Sequence, residues 1–188
     1  MKRAICKLKS LTPVTFGRPF QFEFPKEEKE RDDLYDLRIW KERAHFTKEG
    51  FVKIPGIMIS NCIKDCAQFS SIQIPGKGKS LYTKHFKAGI YISDDIVTKV
   101  KKEDLMGVSQ FVPSNGRTGG TTRVVRKFPI IHEWEGEIEI FIGDDVIIAS
   151  VFETVIREAG KLRGIGTWRP ASGGNNGRFE LISMKWIE

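Results

Sequence analysis

The sequence lacks the long apolar segments that a membrane span or an export signal requires. No apolar run approaches the roughly 18 residues that cross a bilayer. The N-terminal residues Met1, Lys2 and Arg3 include a basic pair, and the apolar stretch of a signal peptide does not follow them. These absences predict an intracellular, cytoplasmic protein that does not act on a membrane.

Cysteine and histidine are both scarce, with three of each in 188 residues. An odd number of cysteines does not make a disulfide framework, so we expect reduced thiols. His45, His85 and His132 are isolated in the sequence, and no spacing typical of a metal site connects them. The sequence therefore predicts neither a metal site nor a bound cofactor.

Hydrophobic residues, by contrast, are sufficient for a well-packed core. They make up 40% of the 188 residues, which excludes a disordered or low-complexity chain. A chain of this length normally folds as one domain. We therefore expect a single domain over residues 1–188, with insertions at about residues 10–50 and 93–135.

Positive charge is concentrated in three stretches that contain no acidic residue. The chain carries a net charge of +7, and residues 75–87, 113–127 and 160–178 together hold 12 of its 31 lysines and arginines. The rest of the chain is net negative. Exposed loops are often basic, so a solvated surface is one interpretation. The clustering favours the other interpretation, which is an anionic partner.

Hydrophobic periodicity predicts alternating strands and helices. Strands are predicted at residues 2–9, 86–92, 123–131, 137–142 and 178–187, and helices at residues 32–46, 60–69, 97–106 and 150–159. The principal elements follow the order strand, helix, strand, hairpin strands, helix, strand, which a ferredoxin-like fold requires. The predicted fold class is α+β: a ferredoxin-like or RRM-like antiparallel sheet with helices on one face and a long β-hairpin excursion.

Local residue patterns also predict how these elements begin, end and pack. Ser60 is predicted to cap a helix, and Ser150 and Glu153 have the spacing of a capping box. Gly160 is predicted to end the helix that this capping box begins. Residues 178–187 carry apolar side chains on both faces, which predicts an interior or covered strand.

Two helices have apolar stripes that predict their buried faces. Leu34, Leu37 and Trp40 recur at helical spacing, and we expect them to face the core. Cys62 and Cys66 lie on the apolar stripe of the next helix. A metal or redox role is one interpretation of this pair, but we expect two buried thiols that act as small hydrophobes.

The most informative segment is the glycine-rich stretch between the last predicted helix and the last predicted strand. Residues 159–179 hold six of the 18 glycines and four basic residues. Glycine lets backbone amides approach a ligand closely, and a group of such amides can bind an anion. A flexible helix-to-strand connection is the simpler alternative. The predicted anion-binding amides belong to Gly164, Gly166, Gly173, Gly174 and Gly177.

Two features together resemble the RAMP superfamily, the RRM-like Cas7, Cas5 and Cas6 proteins of CRISPR complexes. One is the Ile54-Pro55-Gly56 turn that enters a helix, and the other is the glycine-rich loop between the last helix and the last strand. The Cas7 branch is the most similar, because it carries a long hairpin and basic loops that line an RNA groove. The compact chain also resembles small Cas7-like proteins carried by phages.

This resemblance implies that subunits lie side by side and bind the sugar–phosphate backbone of single-stranded RNA or DNA. It does not imply catalysis. We predict a protein that binds single-stranded nucleic acid, RNA more than DNA, as a homo-oligomer or as a subunit of a nucleoprotein complex. Tyr82, Phe86 and Trp168 are predicted to stack on bases. The predicted nucleic-acid-binding residues are Lys77, Lys79, Tyr82, Lys84, His85, Arg117, Arg123, Arg126, Lys161, Arg163, Trp168, Arg169 and Arg178.

The residues leave two other functions open. In the first, the basic loops dock an acidic protein surface, as in a phage-encoded inhibitor or a structural subunit. In the second, the protein is a metal-independent endoribonuclease in which Tyr82, Lys84 and His85 act on a phosphodiester. The acid pairs at residues 94–95 and 144–145 could instead hold magnesium, although such pairs more often end a strand or start a helix. We favour the binding protein over an enzyme.

Overall fold

The structure of the protein is a computed structural model that describes residues 1–19, 23–114 and 122–188. Its strands are β1 (Lys2–Ser10), β2 (Val14–Thr15), β3 (His45–Phe46), β4 (Phe51–Ile54), β5 (Ile90–Tyr91), β6 (Ile96–Lys101), β7 (Met106–Pro113), β8 (Arg123–Ile131), β9 (Glu135–Ile142) and β10 (Phe179–Ile187). Its α-helices are α1 (Asp32–Ile39), α2 (Gly56–Ser70), α3 (Thr83–Gly89) and α4 (Ala149–Glu158).

The centre of the fold is a four-stranded antiparallel sheet, which we call the central sheet. Its strand order is β10-β1-β9-β5, and α2 and α4 supply the two long crossover helices. The chain therefore runs β1-α2-β5-β9-α4-β10 through this sheet, which is the connectivity of a ferredoxin-like fold. The predicted α+β class is confirmed.

Period-two alternation in β1 and β9 builds the sheet side of the core. Ala4, Cys6 and Leu8 of β1 are fully buried, and Ile138 and Ile140 of β9 lie beside them. The apolar stripes of α2 and α4 cover these side chains. Both strands were predicted from their alternating residues, and both predictions are confirmed.

The last strand was predicted to be interior or covered. It lies at the edge of the central sheet, so the interior alternative is wrong. The register between β1 and β10 shifts where Leu8 faces Leu181 and Lys7 faces Ser183, which leaves Ile182 as an extra residue. Such a bulge changes the phase of the alternation. It explains why Leu181 before it and Met184 after it both pack towards the core, while Ile182 is 46% exposed.

Helix α2 begins four residues before the predicted start. The amide of Gly56 donates to the Asp95 carboxylate at 2.9 Å, so a side chain distant in sequence satisfies the first turn. Ser60 is buried within the helix and is not its cap, which corrects the prediction. Cys62 and Cys66 are buried free thiols, as predicted, and burial raises the pKa of Cys66.

Two predictions between residues 86 and 106 need correction. The strand predicted at residues 86–92 is present only as β5, Ile90–Tyr91. Phe86 lies in α3 rather than in a strand, and its ring stacks on Phe152 of α4 at a centroid distance of 6.2 Å. The segment predicted as a helix contains strand β6, because Ile96 and Thr98 are buried while Val97 and Lys99 are exposed. Tertiary packing outweighed weak local preferences in both short segments.

Helix α1 also differs from its prediction. It ends at Ile39, and a single 3₁₀ turn, Trp40–Arg43, precedes β3. Leu34 and Leu37 are 52% and 58% exposed, whereas Ile39 is buried, so the predicted buried face is wrong. The buried face instead carries Asp36, whose carboxylate accepts a hydrogen bond from the Lys127 amide of β8 at 2.9 Å.

Helix α4 has the predicted apolar face but different ends. Phe152, Val155 and Ile156 are fully buried. Among the described residues no side chain caps its N-terminus, so the predicted capping box is not formed, and Glu153 pairs with Arg157 instead. The helix continues as a π-helical turn, Ala159–Arg163, beyond the predicted end at Gly160.

Two small three-stranded sheets occupy the insertions. One has the order β2-β8-β7, and its β7–β8 hairpin confirms the predicted excursion. Residues 115–121, which come between β7 and β8 in the sequence, lie outside the described residues. The other sheet has the order β3-β4-β6. Across the described parts of the chain, every helix is too short or too polar to cross a bilayer.

Candidate functional site

An open groove of about 560 Å³ lies beside α2, and we call it the arginine groove. The first turns of α2 form one wall. Residues 163–171, which belong to the glycine-rich loop between α4 and β10, form the opposite wall. The segment 16–19 and His45 of β3 contribute the remaining side chains. Insertion elements and a connection of the central fold therefore build the groove together.

The glycine-rich loop is fastened to the segment that follows β1. The Gly177 amide donates to the Pro13 carbonyl at 2.7 Å, and the Thr167 amide donates to the Thr15 carbonyl at 2.9 Å. The two threonine hydroxyls are 2.8 Å apart, and the Thr15 hydroxyl also donates to the Thr167 carbonyl. These bonds fix the loop, so the prediction of a flexible connection does not describe it.

Glycine is required in this loop because two backbones approach each other closely. Gly166 and Gly177 have positive φ angles of 78° and 73°, which side chains rarely adopt. A Cβ atom at Gly177 would overlap the carbonyl oxygen of Ile165, and one at Gly166 would overlap that of Thr15. The glycines therefore serve packing within the protein.

The predicted anion-binding amides are in large part already used. The amides of Gly164, Gly173, Gly174 and Gly177 each donate to a backbone carbonyl oxygen. An amide that donates within the protein is not available to a phosphate. The prediction of a glycine amide nest is therefore wrong for these four residues, and the side chains of the loop carry its charge.

Three arginines line the arginine groove. Arg163 donates from Nε to Asp65 of α2 at 2.8 Å, and its guanidinium lies over the Phe69 ring at 4.8 Å. Arg169 donates to the Gly166 carbonyl at 3.1 Å. Arg18, on the opposite segment, pairs with Glu23. Each guanidinium is thus anchored at the groove wall, and a guanidinium offers five N–H donors in total.

His45 lies between the arginine groove and the neighbouring sheet. Burial lowers the pKa of its imidazole, and the positive charges of Arg18 and Lys53 lower it further, while Asp95 opposes them. The ring therefore stays neutral to a lower pH than an ordinary histidine. Its protonation would add a further positive charge to the groove at acidic pH.

Trp168 connects the glycine-rich loop to strand β8. Its ring meets Phe128 of β8 edge to face at 4.7 Å, and it is partly exposed. It can still act as the predicted stacking platform. Tyr82 and Phe86 cannot, because they are 3% and 0% exposed, which corrects that part of the prediction.

The first basic stretch does not reach the arginine groove. Lys84 and Lys87 line a separate, shallower depression of about 380 Å³ on α3. His85 faces away to Asp144, with Nδ1 and the carboxylate 2.7 Å apart. Lys77 and Lys79 are exposed on the loop before α3. The predicted nucleic-acid-binding residues of the three stretches therefore do not form a single trough.

The remaining predicted residues are distributed over the hairpin and the loop. Arg123 is exposed on β8, and Arg126 donates to the Ser114 carbonyl at 2.9 Å. Lys161 is exposed, and its carbonyl accepts a hydrogen bond from the Arg178 guanidinium. Arg117 lies outside the described residues. None of these four described side chains lines the arginine groove.

Sequence reasoning missed Arg18 and His45 as groove residues. Arg18 stands between Gly17 and Pro19, and that context indicated only a break in regular structure. Its contact with the groove arises because the segment after β1 crosses in front of the glycine-rich loop. No local pattern encodes that crossing, since the two segments are about 150 residues apart.

No protein-family model matches the sequence, and no curated protein matches it. Similar structures exist. A chain in a cryo-EM structure of the type III-B Cmr-beta bound to cognate target RNA aligns with the whole of this chain, with a TM-score of 0.55 and 10% sequence identity. The protein spans 61% of that chain. At this identity the likeness concerns the fold alone.

A crystal structure of Cmr6 from Pyrococcus furiosus is also similar. Its alignment covers 96% of this chain and 99% of that one, with 11% identity and a TM-score of 0.49.

Proposed function

We propose that the protein binds single-stranded nucleic acid, RNA more than DNA, by holding the phosphate backbone in the arginine groove. One observation carries the proposal: Arg18, Arg163 and Arg169, from two segments far apart in sequence, converge on a single open groove. Guanidinium groups form strong, charge-assisted hydrogen bonds to phosphate oxygens. The groove is open to solvent rather than enclosed, which suits a chain that continues beyond the site.

The RAMP-like fold supports RNA as the ligand. The similar Cmr-beta structure contains cognate target RNA. By analogy, we propose that this protein is a subunit of a nucleoprotein complex or forms one by placing its own copies side by side along a strand. A compact form carried by a phage stays a prediction.

The test is a titration of fluorescent poly-uridine at several salt concentrations. We expect the logarithm of the binding constant to fall with the logarithm of salt by about 0.7 for each phosphate neutralised. Arg169→Gln should weaken binding about tenfold and reduce that slope by about 0.7. Lys185→Gln, which removes an exposed charge from β10, is the matched control and should bind like the wild type.

Two outcomes would contradict the proposal. Wild-type affinity that does not change with salt would exclude a phosphate-backbone contact. Equal losses in Arg169→Gln and Lys185→Gln would exclude the arginine groove as its location. Light scattering with strands of increasing length separates the alternative in which the protein docks an acidic protein surface, because that function predicts a fixed stoichiometry whatever the strand.

The proposed function does not include catalysis. The ribonuclease alternative needs Tyr82, Lys84 and His85 around one phosphodiester, but Tyr82 is buried and His85 faces Asp144. The acid pairs serve other contacts: Asp95 caps α2, and Asp144 accepts from the Val146 amide. We expect intact RNA after prolonged incubation with the protein, and cleavage that His85→Ala abolishes would revive the enzyme alternative.

A further inference from the structure

The exposed face of the β3-β4-β6 sheet is basic and partly aromatic. Strand pairing places Lys53 opposite Val97, and Phe51 opposite Lys101, on this face. Lys99 lies between the two pairs and points the same way, because Thr98 beside it is buried. The search for basic stretches in the sequence did not identify this face, because its lysines alternate with uncharged residues along β6.

This face is continuous with the arginine groove. His45 lines the groove and is also the partner of Lys53 across β3 and β4. The pKa of His45 responds to Arg18 of the groove and to Lys53 of the sheet, which places both charges near the same ring. Lys53 is therefore the first positive charge outside the groove, and Lys99 and Lys101 follow it on β6.

The acidic residues beside this face leave it positive. Asp95 pairs with Lys53 at 2.7 Å and also caps α2, so its charge is committed to two partners. Glu135 feels the charge of Lys99 but is bound to Lys7 at 2.7 Å. Lys101 lies over the Phe51 ring at 5.6 Å and is exposed, so a cation and an aromatic face occur together at the far end.

We infer that a strand held in the arginine groove continues over the β3-β4-β6 sheet, with Lys99 and Lys101 contacting its phosphates and Phe51 its bases. The inference rests on the proposed function and adds a path to it. A polynucleotide fits this surface because the lysines and the Phe51 ring are spaced along it, and a polynucleotide likewise presents phosphates and bases at regular intervals. A single small anion would need converging donors, which a flat sheet face does not provide.

The experiment compares a uridine trinucleotide with a uridine dodecanucleotide. The double variant Lys99→Gln/Lys101→Gln should bind the trinucleotide like the wild type, because the short strand fits within the groove. Its affinity for the dodecanucleotide should fall about tenfold, and its salt slope by about 0.7 for each lysine removed. Lys84→Gln/Lys87→Gln removes the same charge from α3 and should leave both affinities unchanged.

The outcomes distinguish this inference from the proposed function. If the wild type binds neither oligonucleotide, the proposed function itself has failed. If the wild type binds the dodecanucleotide and Lys99→Gln/Lys101→Gln binds it equally well, the path over the sheet is wrong and the groove survives. An equal loss in both double variants would indicate a general charge effect and would also overturn the path. Urea midpoints of all variants should match, since the four lysines are exposed.

Discussion

Two basic stretches that look alike in the sequence have different places in the structure. Residues 75–87 and 160–178 each contain four basic residues, several glycines or turn residues, and no acid. The second stretch forms a wall of the arginine groove, whereas the first comprises the loop before α3 and most of α3, and it lines its own shallow depression. Equal charge in the sequence therefore gives unequal access to the site.

The difference lies in backbone contacts rather than in charge. The 160–178 stretch donates hydrogen bonds to residues 12–15, which hold it against the segment that carries Arg18. The 75–87 stretch makes its backbone bonds within its own neighbourhood, such as Ile74 to Ser80 and Tyr82 to Ile72. Residues 160–178 therefore lie at the groove because their backbone bonds to a segment distant in sequence, whereas the backbone of residues 75–87 bonds to nearby residues and this stretch lies elsewhere.

The largest effect should come from disturbing the glycine-rich loop at Gly177, whose amide makes the long-range bond to the Pro13 carbonyl. Gly177→Ala places a Cβ against the Ile165 carbonyl at a positive φ, so we expect a loss of about 3 kcal/mol or more in the free energy of unfolding. Gly173→Ala is the control: its φ is also positive, but nothing lies near the added carbon, so about 1 kcal/mol is expected. Urea denaturation measures both, and equal losses would mean that the close approach is unimportant.

The next effect compares the charges of the two stretches directly. Arg163→Gln/Arg169→Gln removes two positive charges from the groove wall and should weaken poly-uridine binding by about thirtyfold or more. Lys84→Gln/Lys87→Gln removes two from α3 and should change it less than about twofold. Fluorescence anisotropy measures both affinities. If the lysine variant loses as much as the arginine variant, the two stretches act together and the comparison above is wrong.

A smaller effect of opposite sign concerns the acid in the groove. Asp65 binds Arg163 in the free protein, so it competes with a phosphate for the same guanidinium. Asp65→Asn should therefore tighten poly-uridine binding by about threefold. Glu153→Gln removes a carboxylate that pairs with an arginine on α4 and should have no effect. Weaker binding by Asp65→Asn would show that the carboxylate positions Arg163 for the ligand instead.

The smallest effect is a dependence of binding on pH. Burial and the charges of Arg18 and Lys53 lower the pKa of His45, so the ring is neutral at pH 7. A bound phosphate favours the protonated ring, and affinity should rise about twofold as the pH falls below 6.5, the ordinary histidine value. The same burial makes protonation destabilise the free fold, so stability should fall over that range. His45→Asn should remove both trends, and an unchanged pH profile would exclude His45 from the groove.

Much of the fold could be predicted because its main elements have strong periodic patterns. The alternation in β1 and β9 and the apolar stripes of α2 and α4 identified four of the six elements of the ferredoxin-like unit. The short elements were predicted less well. β5 has two residues and lies within the longer strand predicted at residues 86–92, and β6 was predicted as a helix, although the Thr98 hydroxyl of β6 donates to the Val52 carbonyl of the neighbouring strand. In such segments a partner elsewhere in the chain outweighs local preference.

The candidate site was predicted in part. Arg163, Arg169 and Trp168 were singled out from the glycine-rich loop, and the first two line the groove. The role given to the glycines was wrong, because their spacing does not reveal whether an amide donates to a ligand or to another part of the backbone. Tyr82 and Phe86 were expected on the surface, but the sequence does not show whether an aromatic residue packs in the core or stacks on a ligand.

The sequence by itself determined the elements whose residues repeat along one face, and it placed basic residues in loops. The tertiary structure decided which of those loops share a groove, because that depends on hydrogen bonds between backbones about 150 residues apart. Backbone groups are the same in every residue, so their long-range pairing leaves little trace in residue identity beyond a few glycines that permit close approach.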